Sequence, residues 1–276
     1  VLPLELEKVS GFGHAEMLAA LASGFAGVDV LLSPKTERDA LDRELALALE
    51  LTGEPRIRLL DPVDPDALCE ALYNDAPPNA TAEPVLPMGS RRQISRLATK
   101  ALRPAESEPI PLPEAAPYGA VLVDTEACTL CLSCASLCPS GALTDNPDKP
   151  QLNFQEDACL QCGLCANVCP EDAIALKPQM DLSDAALSAR VLNEEEPYEC
   201  IECGAAFGVR STIEKIVEKL EGKHSMFATS DTARMIRMCD NCRINAQFHS
   251  ENNPFAAGER PKTRTTEDYL KDRKIH

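Results

Sequence analysis

Eight cysteines in the middle of the chain carry the most specific chemistry. Cys128, Cys131, Cys134 and Cys138 precede Pro139, and Cys159, Cys162, Cys165 and Cys169 precede Pro170. Both runs read C-x2-C-x2-C-x3-C-P, the spacing by which thiolates hold iron–sulfur clusters. Every position of the first run recurs 31 residues later (159 − 128 = 31), so the stretch is an internal duplication. Three cysteines at intervals of three wrap a short loop around one face of a cubane. The fourth is turned away by the proline that fixes the next φ and reaches the other cluster. The expected ligand sets are therefore Cys128, Cys131, Cys134 and Cys169 for one [4Fe–4S] cluster, and Cys159, Cys162, Cys165 and Cys138 for the second. Disulfide staples are the competing reading of dense cysteine; this spacing, with no secretory signal in view, favours metal.

Four more cysteines form two C-x2-C pairs, Cys200/Cys203 and Cys239/Cys242. One closed four-cysteine site with tetrahedral Zn2+ suits them. A rubredoxin-like iron, a third cluster and free thiols are the alternatives, since 35 residues separate the pairs. Gly204, directly after Cys203, lets the backbone turn under a metal. Cys69, among Leu68 and Leu72, reads as a small buried hydrophobe. No acid, base or nucleophile constellation is visible, so the chain reads as an electron carrier before it reads as a catalyst.

Strand–loop elements must position the eight ligands. Val121–Asp124 and Leu152–Phe154 should lead into the two loops, with short helices after each proline at Ser140–Leu143 and Glu171–Ala175. Residues 118–180 resemble a bacterial two-cluster ferredoxin, with all eight ligand positions filled. The resemblance implies an α+β ferredoxin-like domain and one-electron transfer.

The chain has 276 residues, a net charge of −17 and a pI near 4.7, which argues against nucleic acid as a partner. Tryptophan is absent and aromatics are 4%, so cores must be aliphatic or held by metal. No apolar run reaches 18 residues, so no membrane span is expected. Twelve of the thirteen cysteines stand in metal spacings, which points to a reducing compartment, the cytoplasm. The chain opens at Val1 rather than Met, as a piece of a longer protein would.

Residues 1–76 alternate strand and helix, which predicts a small α/β domain with a parallel sheet. The strands are expected at Leu4–Val9, Gly27–Leu32 and Arg56–Leu60, and the helices at His14–Ser23, Glu37–Leu51 and Pro62–Tyr73. The turn Ser10-Gly11-Phe12-Gly13-His14 lacks the G-x-G-x-x-G pattern. It reads as a tight turn needing positive φ rather than a phosphate cradle, with His14 on the surface. The run Ala19–Val30, followed by a helix and Arg56-Ile57-Arg58-Leu59, resembles the delta iron–sulfur subunit of methyl-viologen-reducing hydrogenases. That family binds a [2Fe–2S] cluster through cysteines where this chain has Val9, Ser33 and Arg38. The resemblance thus implies the family's fold without its cluster.

Residues 77–117 contain nine prolines and read as an extended, stiff linker. Within it, 89–103 carries Arg91, Arg92, Arg96, Lys100 and Arg103 without an acid, with Ile94, Leu97, Ala101 and Leu102 on one helical face. This basic helix is a candidate docking element, for the chain's own acidic surface or for a partner. Residues 181–250 form the expected zinc-knuckle domain. Its helix, Ser211–Leu220, should be opened by a Ser211/Glu214 capping box, lined by Ile213, Ile216 and Val217, and stopped by Gly222. Residues 251–276 read as a charged tail. Taken together, the expected function is an electron-transfer protein or accessory subunit with two [4Fe–4S] clusters. By resemblance it would serve a multi-subunit redox enzyme of the hydrogenase, formate dehydrogenase or heterodisulfide-reductase type. The alternative is an adaptor or maturation factor for a metalloenzyme, with structural clusters and zinc.

Overall fold

Packing here crosses the expected domain borders, and the helix at 91–102 does so with a different face from the expected one. It buries Ser95, Arg96, Ala98 and Thr99, while Leu97 stays 46% exposed and Ile94, Ala101 and Leu102 are only partly covered. The computed structural model describes residues 1–73, 79–81, 83–221, 223–227, 229 and 233–249, with Thr266. The chain forms two compact units, Val1–Glu194 and Glu195–His276.

In the first unit, α1 (His14–Ala22), β1 (Val28–Leu31), α2 (Arg38–Thr52), β2 (Ile57–Leu60) and α3 (Pro65–Tyr73) follow one another. β1 and β2 pair in parallel, Val28 to Ile57 through Leu31 to Leu60. The sheet has these two strands and not three: residues 4–8 form no strand, and a 3-10 turn occupies Val9–Gly11. Leu4 is 74% exposed and its neighbours are exposed too, so this stretch has no apolar surface to pair against. α2 ends at Gly53, whose φ of 71° lets its N–H reach the Leu49 carbonyl. The turn before α1 needs no positive φ. Gly13 has φ −98°, and a Cβ there would lie 2.5 Å from the Glu44 carboxylate, so a larger residue would push that side chain aside.

α4 (Arg91–Leu102) comes next, opened by Ser90, whose side chain accepts from the Gln93 N–H. The linker expectation gives way here. Ala98 of α4, Leu18 and Ala22 of α1, and Leu47 and Leu51 of α2 share one core with Ile110, Tyr118, Met180 and Leu182. Prolines flank the helix without keeping it away from the core. All five cations of the basic helix are engaged within the unit. Arg91 pairs with Glu16 at 2.7 Å and Lys100 with Asp184 at 3.3 Å. Arg103 donates to the Glu50 carbonyl and pairs with Glu106. Arg96 donates to the Asp181 and Ser183 carbonyls. Arg92 reaches three carbonyls around the second cysteine loop.

The duplicated stretch lies between β4 (Gly119–Val123) and β7 (Ile174–Met180), which pair antiparallel from Gly119–Pro178 to Val123–Ile174. β3 (Ile110–Pro111) adds to the other edge of β7. Inside the stretch are α5 (Ser133–Ser136), β5 (Leu143–Asp145), β6 (Gln151–Phe154) and α6 (Leu164–Val168), and β6 pairs with β5 and with β8 (Arg190–Glu194). The short helices thus precede the prolines. Each contains the third cysteine of its run, and each proline leads through a turn into a strand.

In the second unit, β9 (Pro197–Glu199) and β10 (Ala206–Val209) form an antiparallel hairpin, and the helices α7 (Arg210–Leu220) and α8 (Asp240–Phe248) come after it. No capping box opens α7. Its N-cap is Val209, and the Ser211 N–H donates instead to the Glu195 carboxylate. Val217 is the buried member of its apolar stripe. Gly222, Pro77-Pro78 and the 251–276 tail, Thr266 apart, lie outside the described residues. Among the described residues no helix is long and apolar enough to cross a membrane.

Candidate metal centres

The two cysteine loops follow the same path, and leucine is used where glycine would be easier. Positive φ occurs at Leu130, Leu132 and Gly141 in the first repeat, and at Gln161, Gly163 and Asp172 in the second. These are three pairs at the 31-residue offset. Non-glycine residues with left-handed φ are uncommon and cost of order 1–3 kcal/mol each. The four among the described residues all lie in or just beyond the cysteine runs. A left-handed residue between successive cysteines turns the loop so that their side chains face a common space.

That space is plain in the first loop. A cavity is lined by Cys128, Cys131 and Cys134, together with Cys169 from the far end of the second run. Its remaining wall is largely apolar, from Leu130, Leu132, Leu152 and Ile174. The second group is recognised by mutual charge. Cys165 feels the thiols of Cys159 and Cys162, and Cys159 feels that of Cys138. Cys134 in turn feels Cys165, so the two groups adjoin.

Burial pushes the Cys134 thiol up to about 11 and raises Cys159 and Cys165 as well. Thiolates are therefore costly in these loops unless a cation accompanies them, which suits iron–sulfur ligation. The fourth cysteine of each run has its own donor. The Leu143 N–H lies 3.4 Å from Cys138 Sγ, and the Ala173 N–H lies 3.3 Å from Cys169 Sγ, again at nearly equivalent places. For Cys138, burial is outweighed by the Leu143 N–H, the Ser140 hydroxyl and the N–H groups of Ser140 and Ala142, and its thiol is held below its ordinary value.

One side of the second loop is tied to α4. Arg92 donates to the carbonyls of Cys159 (2.6 Å), Pro117 (2.7 Å) and Asp157, and lies over the Tyr118 ring at 4.6 Å. Gln161 donates from Nε2 to the Ala120 carbonyl and to Cys159 Sγ at 3.4 Å. Sequence reasoning missed Gln161, and placed Arg92 on a docking face without its role at this loop. The one available signal was Gln161 standing where the duplicate has Leu130.

Cys200, Cys203, Cys239 and Cys242 converge, with their four Sγ atoms all within 4.8 Å of one another. Cys200 and Cys203 occupy the turn between β9 and β10. Gly204, with φ 73°, returns its N–H to the Cys200 carbonyl at 2.9 Å. Cys239 is the N-cap of α8 and Cys242 lies in its first turn, where the helix N-terminus favours negative charge. Cys203 and Cys239 Sγ are 3.7 Å apart. Four sulfurs ~2.3 Å from one central ion would stand at about that spacing. Burial opposes ionisation of Cys200, but N–H bonds from Cys239, Cys203 and Glu202 bring it down to about 6. Bonds to Cys203 and Cys239 push Cys242 up to about 12. Thiols this crowded cannot all ionise without a cation between them.

The amino-terminal positions hold no such grouping. Arg38 pairs with Asp61 at 2.7 Å, the Ser33 hydroxyl accepts from Lys35, and Val9 packs on the Met17–Leu21 core. Cys69 is exposed on α3 rather than buried, because α3 turns Leu68 and Leu72 only partly inward. His14 is buried rather than on the surface. Its Nδ1 lies 2.5 Å from Glu44 Oε2 and its Nε2 lies 2.7 Å from the Tyr118 hydroxyl. Glu44 and Tyr118 are 30 and 104 residues away, beyond the reach of local pattern.

Residues 127–174 match the family described as a 4Fe-4S dicluster domain. No curated protein matches the chain. The matched segment contains all eight cysteines of the duplication, and it supports an iron–sulfur electron-transfer role.

Proposed function

We propose that the chain carries two [4Fe–4S] clusters and one zinc ion, and passes single electrons as a component of a multi-subunit redox enzyme. Cys128, Cys131, Cys134 and Cys169 would hold the first cluster, and Cys159, Cys162, Cys165 and Cys138 the second. Cys200, Cys203, Cys239 and Cys242 would hold the zinc. The observation that supports this most is the mixed lining of the first cavity, in which Cys169 joins three cysteines that precede it by 35 to 41 residues (169 − 134, 169 − 128). A cubane held by thiolates from both runs would bring the centres close enough for an electron to pass between them. The sulfur spacing in the second unit favours a single ion over a cubane, which spreads its four thiolates over four separate irons.

A partner of hydrogenase, formate dehydrogenase or heterodisulfide-reductase type, working in the cytoplasm, follows from the resemblance of residues 1–76 and 118–180. The amino-terminal segment would position the clusters without a centre of its own. Anaerobically purified chain should contain about eight iron, about eight acid-labile sulfide and about one zinc, with reversible reduction of the visible absorption. Four iron would remove one cluster from the proposal. Twelve would replace zinc by a third cluster. Full iron with no redox response would turn the reading toward an adaptor.

A further inference from the structure

The duplication gives two nearly equal loops, so any difference between the clusters must come from what surrounds them. Cluster potential rises with hydrogen bonds to the sulfurs and with positive charge nearby, and falls with net negative charge. The first cavity, walled mainly by leucine and isoleucine, has no lysine or arginine among its lining residues. The second loop has a guanidinium built against it. Arg92 is half-buried and reaches the carbonyl of Cys159 at 2.6 Å. The described hydrogen bonds of Arg92 end on main-chain carbonyls and none on a carboxylate. The nearby Asp157 carboxylate lies 3.8 Å from Arg96 and also attracts Arg92, so one acid is shared between two guanidinium groups. Cys159 also receives the side-chain N–H of Gln161, while the equivalent residue in the first repeat is Leu130, which is buried and has no donor to give.

Resting on the ligand sets proposed above, we infer that the two clusters are unequal, and that Arg92 and Gln161 make the one held by Cys138, Cys159, Cys162 and Cys165 the higher in potential. One electron taken from a reduced donor protein then settles there, with no bond made or broken in the chain. The first cluster is the one that must be reached at lower potential. The pair has a direction, set by two residues outside the ligand motif.

The test is a redox titration of the full-length chain followed by electron paramagnetic resonance. The wild type should show two resolved one-electron midpoints. Arg92→Gln should lower the higher midpoint by ~59 mV, about a tenfold change in its oxidised-to-reduced ratio at fixed potential, and leave the lower one in place. Arg92 ties three segments together, so Gln161→Leu provides a milder variant. Leucine already occupies the equivalent left-handed position at φ 49°, so the backbone accepts it. This variant should move the same midpoint the same way by about threefold in that ratio, a smaller effect because a neutral donor is removed instead of a charge. If Arg92→Gln fails to fold, Gln161→Leu decides alone. A single unresolved midpoint in the wild type, or variants that shift the lower midpoint or neither, would overturn the inference. Iron and sulfide for one cluster only would instead refute the ligand sets beneath it.

Discussion

The two cysteine-rich regions build different surroundings from the same C-x2-C unit. In the duplicated stretch Cys128, Cys131, Cys134 and Cys169 line a cavity, each loop is turned by left-handed residues, and the strands and helices around it share an aliphatic core. In the second unit four sulfurs crowd within 4.8 Å between one hairpin and one helix start. The comparison teaches that one dipeptide spacing can serve two local architectures. In one, thiols from two runs line a cavity with an apolar wall; in the other, a hairpin turn and a helix start bring four sulfurs together.

The comparison breaks most completely if the runs are not interlaced. Cys169→Ser should remove one cluster, about half of the iron and sulfide, and the signal lost should be the one that depends on Cys128, Cys131 and Cys134. Loss of the cluster that depends on Cys159 instead would separate the two runs. Next in size is the contrast in what holds each region together. Cys203→Ser, or a zinc chelator, should open residues 195–249 to protease while the visible absorption stays, because a small unit of this kind draws folding free energy from its metal. Equal loss of absorption would mean that the two regions are not independent in this sense.

Leu18→Ala sharpens the same contrast from the other side. Leu18 is fully buried in the core that joins α1, α4 and β7, and its truncation should cost about 3 kcal/mol of stability in the first unit. Protease protection of the second unit should not change. The smallest effect concerns Glu44. Its hydrogen bond with His14 is the main cause that holds the carboxyl at about 2, below the usual 4.5. A carboxyl whose folded value is depressed stabilises fully above its unfolded value. That stabilisation is lost as pH falls from about 4.5 toward 2. The Glu44 side chain is 37% exposed, so solvent screening reduces the contribution to about 1 kcal/mol. Glu44→Gln should flatten the acid limb of a denaturation curve by that amount. An unchanged limb would remove His14–Glu44 from the account of stability.

Which parts were legible depends on the range of the forces involved. Cysteine spacing is a local property, and the strands at 119–123 and 151–154 and the helices at 38–52 and 91–102 lie close to where their periodicity puts them. The third strand is missing because alternation at Leu4–Leu6 signals a strand only if a neighbour exists. A proline reads as a helix start, which puts the short helices on the wrong side of Pro139 and Pro170. In the structure the left-handed Leu132 and Gly163 start the helices earlier, at Ser133 and Leu164. Leucine at positive φ has no signature in sequence; only the duplicate, with glycine at 163, hints at it. The role of α4 was also hidden. Arg92 and Arg96 read as part of a docking face, but the sequence does not reveal that they end on main-chain carbonyls, at 157, 159, 181 and 183, rather than on an acidic surface.

The antiparallel pairing of β4 with β7 has one more consequence. Val123 stands opposite Ile174, so the backbone enters and leaves the cysteine-rich loops at neighbouring points. All eight cysteines of the duplication lie between those two residues, and the chain on either side joins them through a pair of adjacent strands. A segment whose ends touch can be lifted out and set into another protein wherever two antiparallel strands stand side by side, as domain insertions succeed at closely spaced ends. The stretch 124–173 is thus closed at its ends like an inserted segment, yet β6 within it pairs with β8 and its second loop is held by Arg92, so its host supplies part of its support.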